Sequence, residues 1–344
     1  MSERTILVTG GAGFIGSNFI HYWRDHHPGD RLIVLDQLTY AGSIENLPNR
    51  GFSDDDLIFW YGNVRNGELV DTLMGESTVV VHFAAESHVT RSIYDNYLFF
   101  ETDVLGTQVL ANAAVKFRDR IERFIHISTS EVYGTAESDF MDESHPLNPL
   151  SPYAAAKAGA DRLVYSYNKT YGLPSVIVRP FNNYGPQQHL EKVLPRFITS
   201  TLLGEPLTIH GGGEARRDFI HVEDTCRALE KIIEAPAEKV VGEVFNIGTG
   251  VSPSINELAD AVLEAMGRPD HPRENIGDRP GQVFRHTADA SKIKSVLGFE
   301  PQRAMPEALP KLCTWYEEHP KWWQPQVWMR HIPIISRKGK RELH

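Results

Sequence analysis

Tyr153 and Lys157 stand four residues apart in Ser151-Pro152-Tyr153-Ala154-Ala155-Ala156-Lys157, a run that reads as helix. At that spacing both side chains leave one helix face. A phenol has an ordinary pKa near ~10 and is a poor base at neutral pH. A lysine cation one turn away stabilises the phenolate. The phenol can then take a hydroxyl proton while the carbon bearing that hydroxyl gives up a hydride. Thr129 is placed to hydrogen-bond the same oxygen. Such pairs are common on helices, where they are often only a surface tyrosine and a solvated lysine. This pair gains meaning from a glycine-rich turn at the start of the chain and from Ser128-Thr129-Ser130-Glu131-Val132-Tyr133-Gly134 at the end of a strand.

Gly10, Gly13 and Gly16 have the spacing G-x-x-G-x-x-G between a strand and a helix. Such a turn lets a pyrophosphate approach the backbone, and the helix N-terminus offers it free N–H groups. Asp36 ends the next strand, 20 residues after Gly16. It is placed to accept from both hydroxyls of a ribose. Its charge would repel a 2′-phosphate and no arginine follows it directly, so NAD is expected rather than NADP.

Elements must exist to hold these groups. Apolar, β-branched runs at Thr5–Thr9, Arg31–Asp36, Leu57–Tyr61, Val79–Phe83, Phe124–Ser128 and Ser175–Arg179 read as strands. Helical stretches separate most of them, notably near Ser17–Arg24, Asp95–Phe117 and Pro152–Thr170. Continuous apolar strands alternating with helices predict a doubly wound parallel α/β sheet covered on both faces. After about Pro180 the pattern loosens. Strands at Leu207–His210 and Val244–Ile247 mix with helices near Val193–Leu203, Val222–Glu234 and Ile255–Met266. The expected organisation is a nucleotide-binding domain over 1–180, a smaller mixed α/β substrate-binding lobe over 181–330 with some segments returning to the first domain, and a basic tail over 331–344. Trp322, Trp323 and Trp328 precede that tail, which reads as a packed segment with a solvated end, or as a contact with a second subunit.

The 344 residues carry a formal net charge of −10, which argues against general nucleic-acid binding. No apolar run approaches the ~20 residues needed to span a bilayer. No secretion signal is evident after Met1, and Cys226 and Cys313 are too few for a disulfide framework, so a cytoplasmic location is expected. His26 and His27 have no carboxylate or cysteine cluster around them, so they read as a solvated loop and no metal site is expected. Gly211 to Gly213 read as a turn.

The chain resembles the extended short-chain dehydrogenase/reductases, and most of all the nucleotide-sugar 4,6-dehydratases of the dTDP-glucose type. The resemblance runs from about Thr5 to about Trp323. Besides the motifs above it rests on Asp36-Gln37-Leu38-Thr39-Tyr40-Ala41-Gly42, His82-Phe83-Ala84-Ala85-Glu86-Ser87-His88-Val89, Asn182-Asn183-Tyr184-Gly185-Pro186 and Asp278-Arg279-Pro280-Gly281. It implies a Rossmann-type fold, bound NAD, a nucleoside diphosphate-sugar substrate, and a homodimer through the helices near 95–117 and 152–170.

The resemblance also implies a reaction. C4 of the hexose is oxidised, the ketone acidifies the C5 proton, water leaves from C6, and the hydride returns to C6. Tyr153, Lys157 and Thr129 would serve C4 and Glu131 would be the base at C5. At Ser130 the dTDP-glucose enzymes usually carry an aspartate that protonates the leaving hydroxyl. Serine is a far weaker acid, yet Thr-Ser-Glu also occurs in GDP-mannose and some UDP-N-acetylglucosamine dehydratases. There the glutamate, or a relay through the serine or a water, handles both protons. A 4-epimerase or a hexuronate decarboxylase shares the C4 chemistry, and a non-catalytic NAD-binding scaffold is the remaining alternative.

For the cofactor the resemblance adds Phe14, Ile15, Gln37, Leu38, Thr39, Gly42, Asn63, Val64, Phe83, Ala84, Ala85, Ser87, Thr102 and Asn183. For the substrate it adds Ser87, Asn182, Lys192, Val193, Thr208, Ile209, His210, Arg217, Asn246, Arg279 and Gly281. Gln37, Asn63 and Thr90 depart from the common lysine, aspartate and aspartate of the family, which marks a side branch.

Overall fold

The computed structural model describes residues 4–48, 56–277 and 281–330, together with the backbone of 333–335 and 341–343. The first half supplies β1 (Thr5–Thr9), β2 (Arg31–Asp36), β3 (Leu57–Tyr61), β4 (Val79–His82), β5 (Arg123–Ile127) and β6 (Ser175–Pro180). The second half adds the short β7 (Asn182–Tyr184), β8 (Leu207–His210), β9 (Arg216–Arg217) and β10 (Phe219–His221). Then come β11 (Val244–Ile247), β12 (Arg273–Ile276) and β13 (Arg285–His286).

Seven of these strands form one parallel sheet in the order β11-β6-β5-β4-β1-β2-β3. The chain moves outward from β1 to β2 and β3, then crosses back to β4 on the other side of β1. Above the carboxyl ends of β1 and β4 this reversal opens the crevice where ligands bind in such sheets. β11 comes from the second half, yet it pairs with β6 at the edge of this sheet.

The helices are α1 (Phe14–His26), α2 (Gly67–Glu76), α3 (Val89–Tyr94), the single turn α4 (Tyr97–Phe99), α5 (Thr107–Lys116) and α6 (Pro152–Tyr171). In the second half they are α7 (Val193–Leu203), α8 (Val222–Glu234), α9 (Ala237–Val240), α10 (Ile255–Ala265), α11 (Ser291–Leu297) and α12 (Met305–Glu318). On one face of the sheet α1 and α8 bury Phe19, Trp23, Leu229 and Ile232 against Val8, Val34 and Val81. On the other, α2, α5 and α6 bury Leu73, Leu110 and Val164 against Leu7, Val80 and Phe124. A separate core joins α7, α10 and α12 through Phe197, Leu258, Leu309 and Tyr316. Each such side chain contributes about 1.5–3 kcal/mol by leaving water, which holds both layers to the sheet.

Three features differ from the expected pattern. The long helix expected near 95–117 is broken by a π-helical stretch, Phe100–Gly106, between α4 and α5. π turns insert a residue into the helical ladder and recur at functional sites, and this one carries the buried Asp103. α12 was not anticipated, because Pro306 and Pro310 obscure its apolar period; Pro306 sits in the first turn, where its missing N–H is harmless. His26 and His27 close α1 rather than lying in a solvated loop. Their rings stack on Tyr22 and Trp23, and His27 Nε2 meets Glu230 at 2.7 Å.

The tryptophans divide. Trp323 is buried, Trp322 donates to Asn46 Oδ1 at 2.8 Å, and Trp328 is exposed. The basic run at 337–340 lies outside the described residues.

Candidate active site

A cavity of about 470 Å³ opens above the carboxyl ends of β1, β4 and β5 and runs under the second-half lobe. Its floor is the glycine turn. Gly10 has φ +70°, and a Cβ there would lie 2.5 Å from the Ala84 amide nitrogen. A Cβ on Gly16 would lie 2.4 Å from the Gly10 carbonyl oxygen. Side chains at these positions would collide with the backbone of the turn itself and of the segment after β4, so glycine is what lets the turn close this tightly beneath a pyrophosphate. Gly13, Phe14 and Ile15 complete this wall.

Asp36 faces the same end. Its carboxylate accepts from the amides of Ala12 at 2.9 Å and Leu38 at 2.8 Å. Burial pushes its pKa up while these amides pull it down. Gln37, Thr39, Gly42, Asn63 and Val64 surround it, with Asn63 Nδ2 donating to Gln37 Oε1 at 2.6 Å. Phe83, Ala84, Ala85, Ser87, Thr102 and Asn183 line the stretch toward β5. This cradle, with a carboxylate at the ribose position, fits a dinucleotide without a 2′-phosphate.

Tyr153 and Lys157 owe their places to a well-made helix start. Ser151 caps α6 by accepting from the Ala154 amide at 3.1 Å, and Pro152 occupies the first turn. Tyr153 therefore enters the cavity from the first turn and Lys157 from the second. The Lys157 ammonium donates to the Ile127 carbonyl at 2.7 Å. Burial lowers its pKa, opposed by Asp103 and Asp161. Burial raises the Tyr153 pKa, helped by Asp103, Glu131 and Glu191 and opposed by a hydrogen bond with Thr129. The phenol thus needs an added positive charge before it can act as a base. Beyond β5, Thr129 is extended and accepts from the Glu131 amide at 3.2 Å, which starts a 3₁₀ turn and turns Glu131 into the cavity.

The substrate side is lined by Asn182, Lys192, Val193, Thr208, His210 and Arg217. Arg217 is tied by its guanidinium to the carbonyls of Val283 at 2.6 Å and Arg216 at 2.9 Å. Several expectations need correction. Ser130 is buried and does not line the cavity; its Oγ faces His286 Nδ1 at 3.4 Å. Asn246 is fully buried, accepting from the Tyr133 hydroxyl at 2.7 Å and donating to the Met141 carbonyl at 2.9 Å. Ile209 points into the lobe core, because alternation along β8 sends only Thr208 and His210 to the cavity. The Leu38 side chain packs on the sheet core, and its φ of +52° turns its amide toward Asp36. Gly281 is an exposed turn residue with φ +72°, and Gln282 lines the cavity instead. Arg279 lies outside the described residues.

A second charged group was missed. Glu191 accepts from the Tyr40 hydroxyl at 3.1 Å and meets Lys192, His88 and His189 at 3.2, 3.4 and 3.5 Å. Burial alone would raise its pKa, but Lys192, His189 and His88 hold it well below the usual carboxylate range. Glu86 nearby is pushed by burial to about 7. Glu86, His88 and Tyr40 sit in motifs already conspicuous in the sequence, and Glu191 precedes Lys192. Their adjacent positions were a usable signal, but the convergence of three separate segments was not.

Asp103 lies behind Lys157. Its Oδ1 accepts from the Glu86 amide at 2.8 Å, while Oδ2 has no hydrogen-bond partner. Burial, only partly opposed by Lys157, raises its pKa above the ordinary carboxylate value. The unfolded chain therefore ionises first, and stability falls as pH rises from about 4 toward the raised folded value. Asp103→Asn cannot ionise. We expect it to raise Tm by about 2 °C or more at pH 8 and by less at pH 5, measured by calorimetry.

A family model described as GDP-mannose 4,6 dehydratase matches residues 7–312. The chain belongs to the nucleotide-sugar 4,6-dehydratases. It is 45% identical to the low-salt glycan biosynthesis protein Agl12 of Haloferax volcanii, over 90% of this chain and 98% of that one. It is 41% identical to a dTDP-glucose 4,6-dehydratase of Streptomyces niveus, over 93% of this chain and 95% of that one. The crystal structure of DesIV, a dTDP-glucose 4,6-dehydratase from Streptomyces venezuelae with NAD bound, superposes with a TM-score of 0.88 at 41% identity, covering 94% of this chain and 99% of that one. This dehydratase is accordingly an NAD-dependent hydro-lyase. It forms a 4-keto-6-deoxyhexose nucleotide by C4 oxidation, loss of water across C5 and C6, and return of the hydride to C6. No described helix is long and apolar enough to cross a membrane.

Proposed function

We propose that Tyr153 is the base at C4 of the hexose, and that Glu131 removes the C5 proton and protonates the departing C6 hydroxyl. The observation that carries this is the shared cavity: Tyr153, Thr129 and Glu131 converge beside the glycine cradle, whereas Ser130 is turned away from it. NAD, when bound, supplies the hydride acceptor and a positively charged ring. Gly10, Gly13 and Asp36 hold its pyrophosphate and ribose. Lys157 and that ring favour the phenolate, and Thr129 keeps the phenol oxygen on the C4 hydroxyl. Arg217 and Lys192 take the substrate diphosphate, and Thr208 and His210 face the base.

For the substrate we take dTDP-glucose first, on the strength of the dTDP-glucose 4,6-dehydratases among the relatives. Incubating the protein and NAD with the dTDP, UDP, GDP and CDP forms of glucose, and GDP-mannose, tests this. Loss of one water from dTDP-glucose at the highest kcat/KM is the expected result. Preference for another nucleotide would reassign the substrate, and loss of carbon dioxide from UDP-glucuronate, added to the same panel, would point to decarboxylation.

The protein works as a homodimer in the cytoplasm on this reading. Tyr97, Leu98, Phe100 and Leu105 are exposed together along α4 and the π-helical stretch, and Tyr165 and Tyr171 are exposed on the adjoining α6. Apolar surface of that kind marks interaction sites. Light scattering should give the mass of two chains, and Phe100→Glu with Leu105→Glu should give one. A native monomer would exclude the dimer.

A further inference from the structure

Dehydration across C5 and C6 handles a proton three times on one face of the sugar: off C5, onto the C6 oxygen, and back onto C5. Glu131 can hold one proton. Its side chain is only 19% exposed even in the open cavity, so a group inside the protein is well placed to supply the proton that returns to C5.

His286 on β13 lies directly behind Glu131 and is fully buried. Its Nε2 meets the Gly134 carbonyl at 2.6 Å. A carbonyl oxygen can only accept, so Nε2 carries a hydrogen and Nδ1 is the nitrogen left to gain or lose a proton. Nδ1 lies 3.8 Å from Glu131 Oε1 and 3.4 Å from Ser130 Oγ. A rotation of the Glu131 carboxyl would bring it within hydrogen-bond reach, a tightening common when ligand-free sites fill. The ring is fixed edge-on to Phe181 at 6.3 Å. The charged groups facing it divide. Burial, with Arg217 and His145, lowers its pKa, whereas Glu131 and the Gly134 bond raise it.

We propose that His286 is the proton store of Glu131, a positioning residue that reaches the sugar only through that carboxyl. The inference rests on the dehydratase roles given above. Glu131 as carboxylate takes the C5 proton, leaving the C–H electron pair in the enolate, and gives that proton to the C6 oxygen as the C6–O bond breaks and water departs. Glu131 is again a carboxylate, and beside it Nδ1 still holds the proton that it took from solvent, under the pull of the Glu131 charge, before the substrate entered. As the hydride reaches C6, the Nδ1–H bond breaks, an O–H bond forms on Glu131, and that proton passes to C5 in the same step. The neutral imidazole recovers a proton from water while Tyr153 releases the one it took at C4, so no net proton is consumed. Ser130, hydrogen-bonded at the same nitrogen, keeps the imidazole aimed at Glu131.

The test uses the NAD-loaded full chain with a nucleoside diphosphate-hexose that the native protein converts. His286→Asn keeps a donor for Gly134 but cannot hold the proton, and His286→Phe keeps the ring shape. Both should lower kcat about 10²-fold with KM changed less than about threefold. Reduced cofactor should accumulate in the steady state, visible in its near-ultraviolet absorbance. In single turnover its decay should slow with rising pH in the native protein and be independent of pH in the variants. A folding defect in the phenylalanine variant leaves the asparagine variant to decide. Native kcat in the asparagine variant, or a loss with no reduced cofactor accumulating, overturns the role of His286 alone. A native protein that converts no nucleoside diphosphate-hexose overturns the assignment beneath it.

Discussion

Tyr153→Phe is expected to lower kcat by about 10³-fold, to leave KM within about threefold, and to prevent any reduced cofactor from appearing. The phenol is the group on α6 that reaches the cavity beside Thr129, and its hydroxyl is the sole atom removed. Packing is preserved, since the ring keeps its edge contact with Phe99 at 6.3 Å. The lost hydrogen bond to Thr129 costs only about 1 kcal/mol of stability. A thousandfold fall in activity with Tm lowered by only about 2 °C therefore isolates chemistry from folding. Stopped-flow absorbance after mixing with substrate checks it. Reduced cofactor formed at the native rate would remove Tyr153 from the C4 step.

Glu131→Gln should separate the two halves of the reaction. Glutamine has the same shape and cannot take a proton, so kcat should fall by about 10²- to 10⁴-fold. C4 oxidation should survive, because Glu131 is one of the charges that raises the Tyr153 pKa and its loss favours the phenolate. Reduced cofactor should form and persist, and the C5 proton should stop exchanging with deuterated solvent. Product at the native rate, or absence of reduced cofactor, would contradict the role given to Glu131.

Much of this site is local in the chain, and local features were legible. The glycine turn, Asp36 at a strand end, the helix near Pro152–Thr170 and the Tyr153–Lys157 spacing each follow from a short segment with its own geometry. Residues placed by long-range packing were not. Asn246 falls in a strand expected to serve the substrate lobe, but β11 returns to the main sheet and buries it between Tyr133 and Met141. Ile209 fails for a simpler reason, since strand alternation lets only one face of β8 meet the cavity. Ser130 looked like a weak substitute for a catalytic acid. In the fold it turns toward His286, 156 residues away. Glu191 was missed because Tyr40 and His88, which join His189 and Lys192 around it, come from distant segments. The π-helical stretch that buries Asp103 has no marker in helical periodicity.

The most direct test of the whole account follows one hydrogen atom. dTDP-glucose deuterated at C4 is given to the protein, and the product is analysed by NMR and mass spectrometry. The account predicts that the label moves to C6 of a 4-keto-6-deoxy product within the same molecule. Label retained at C4, or lost to solvent without appearing at C6, would contradict it.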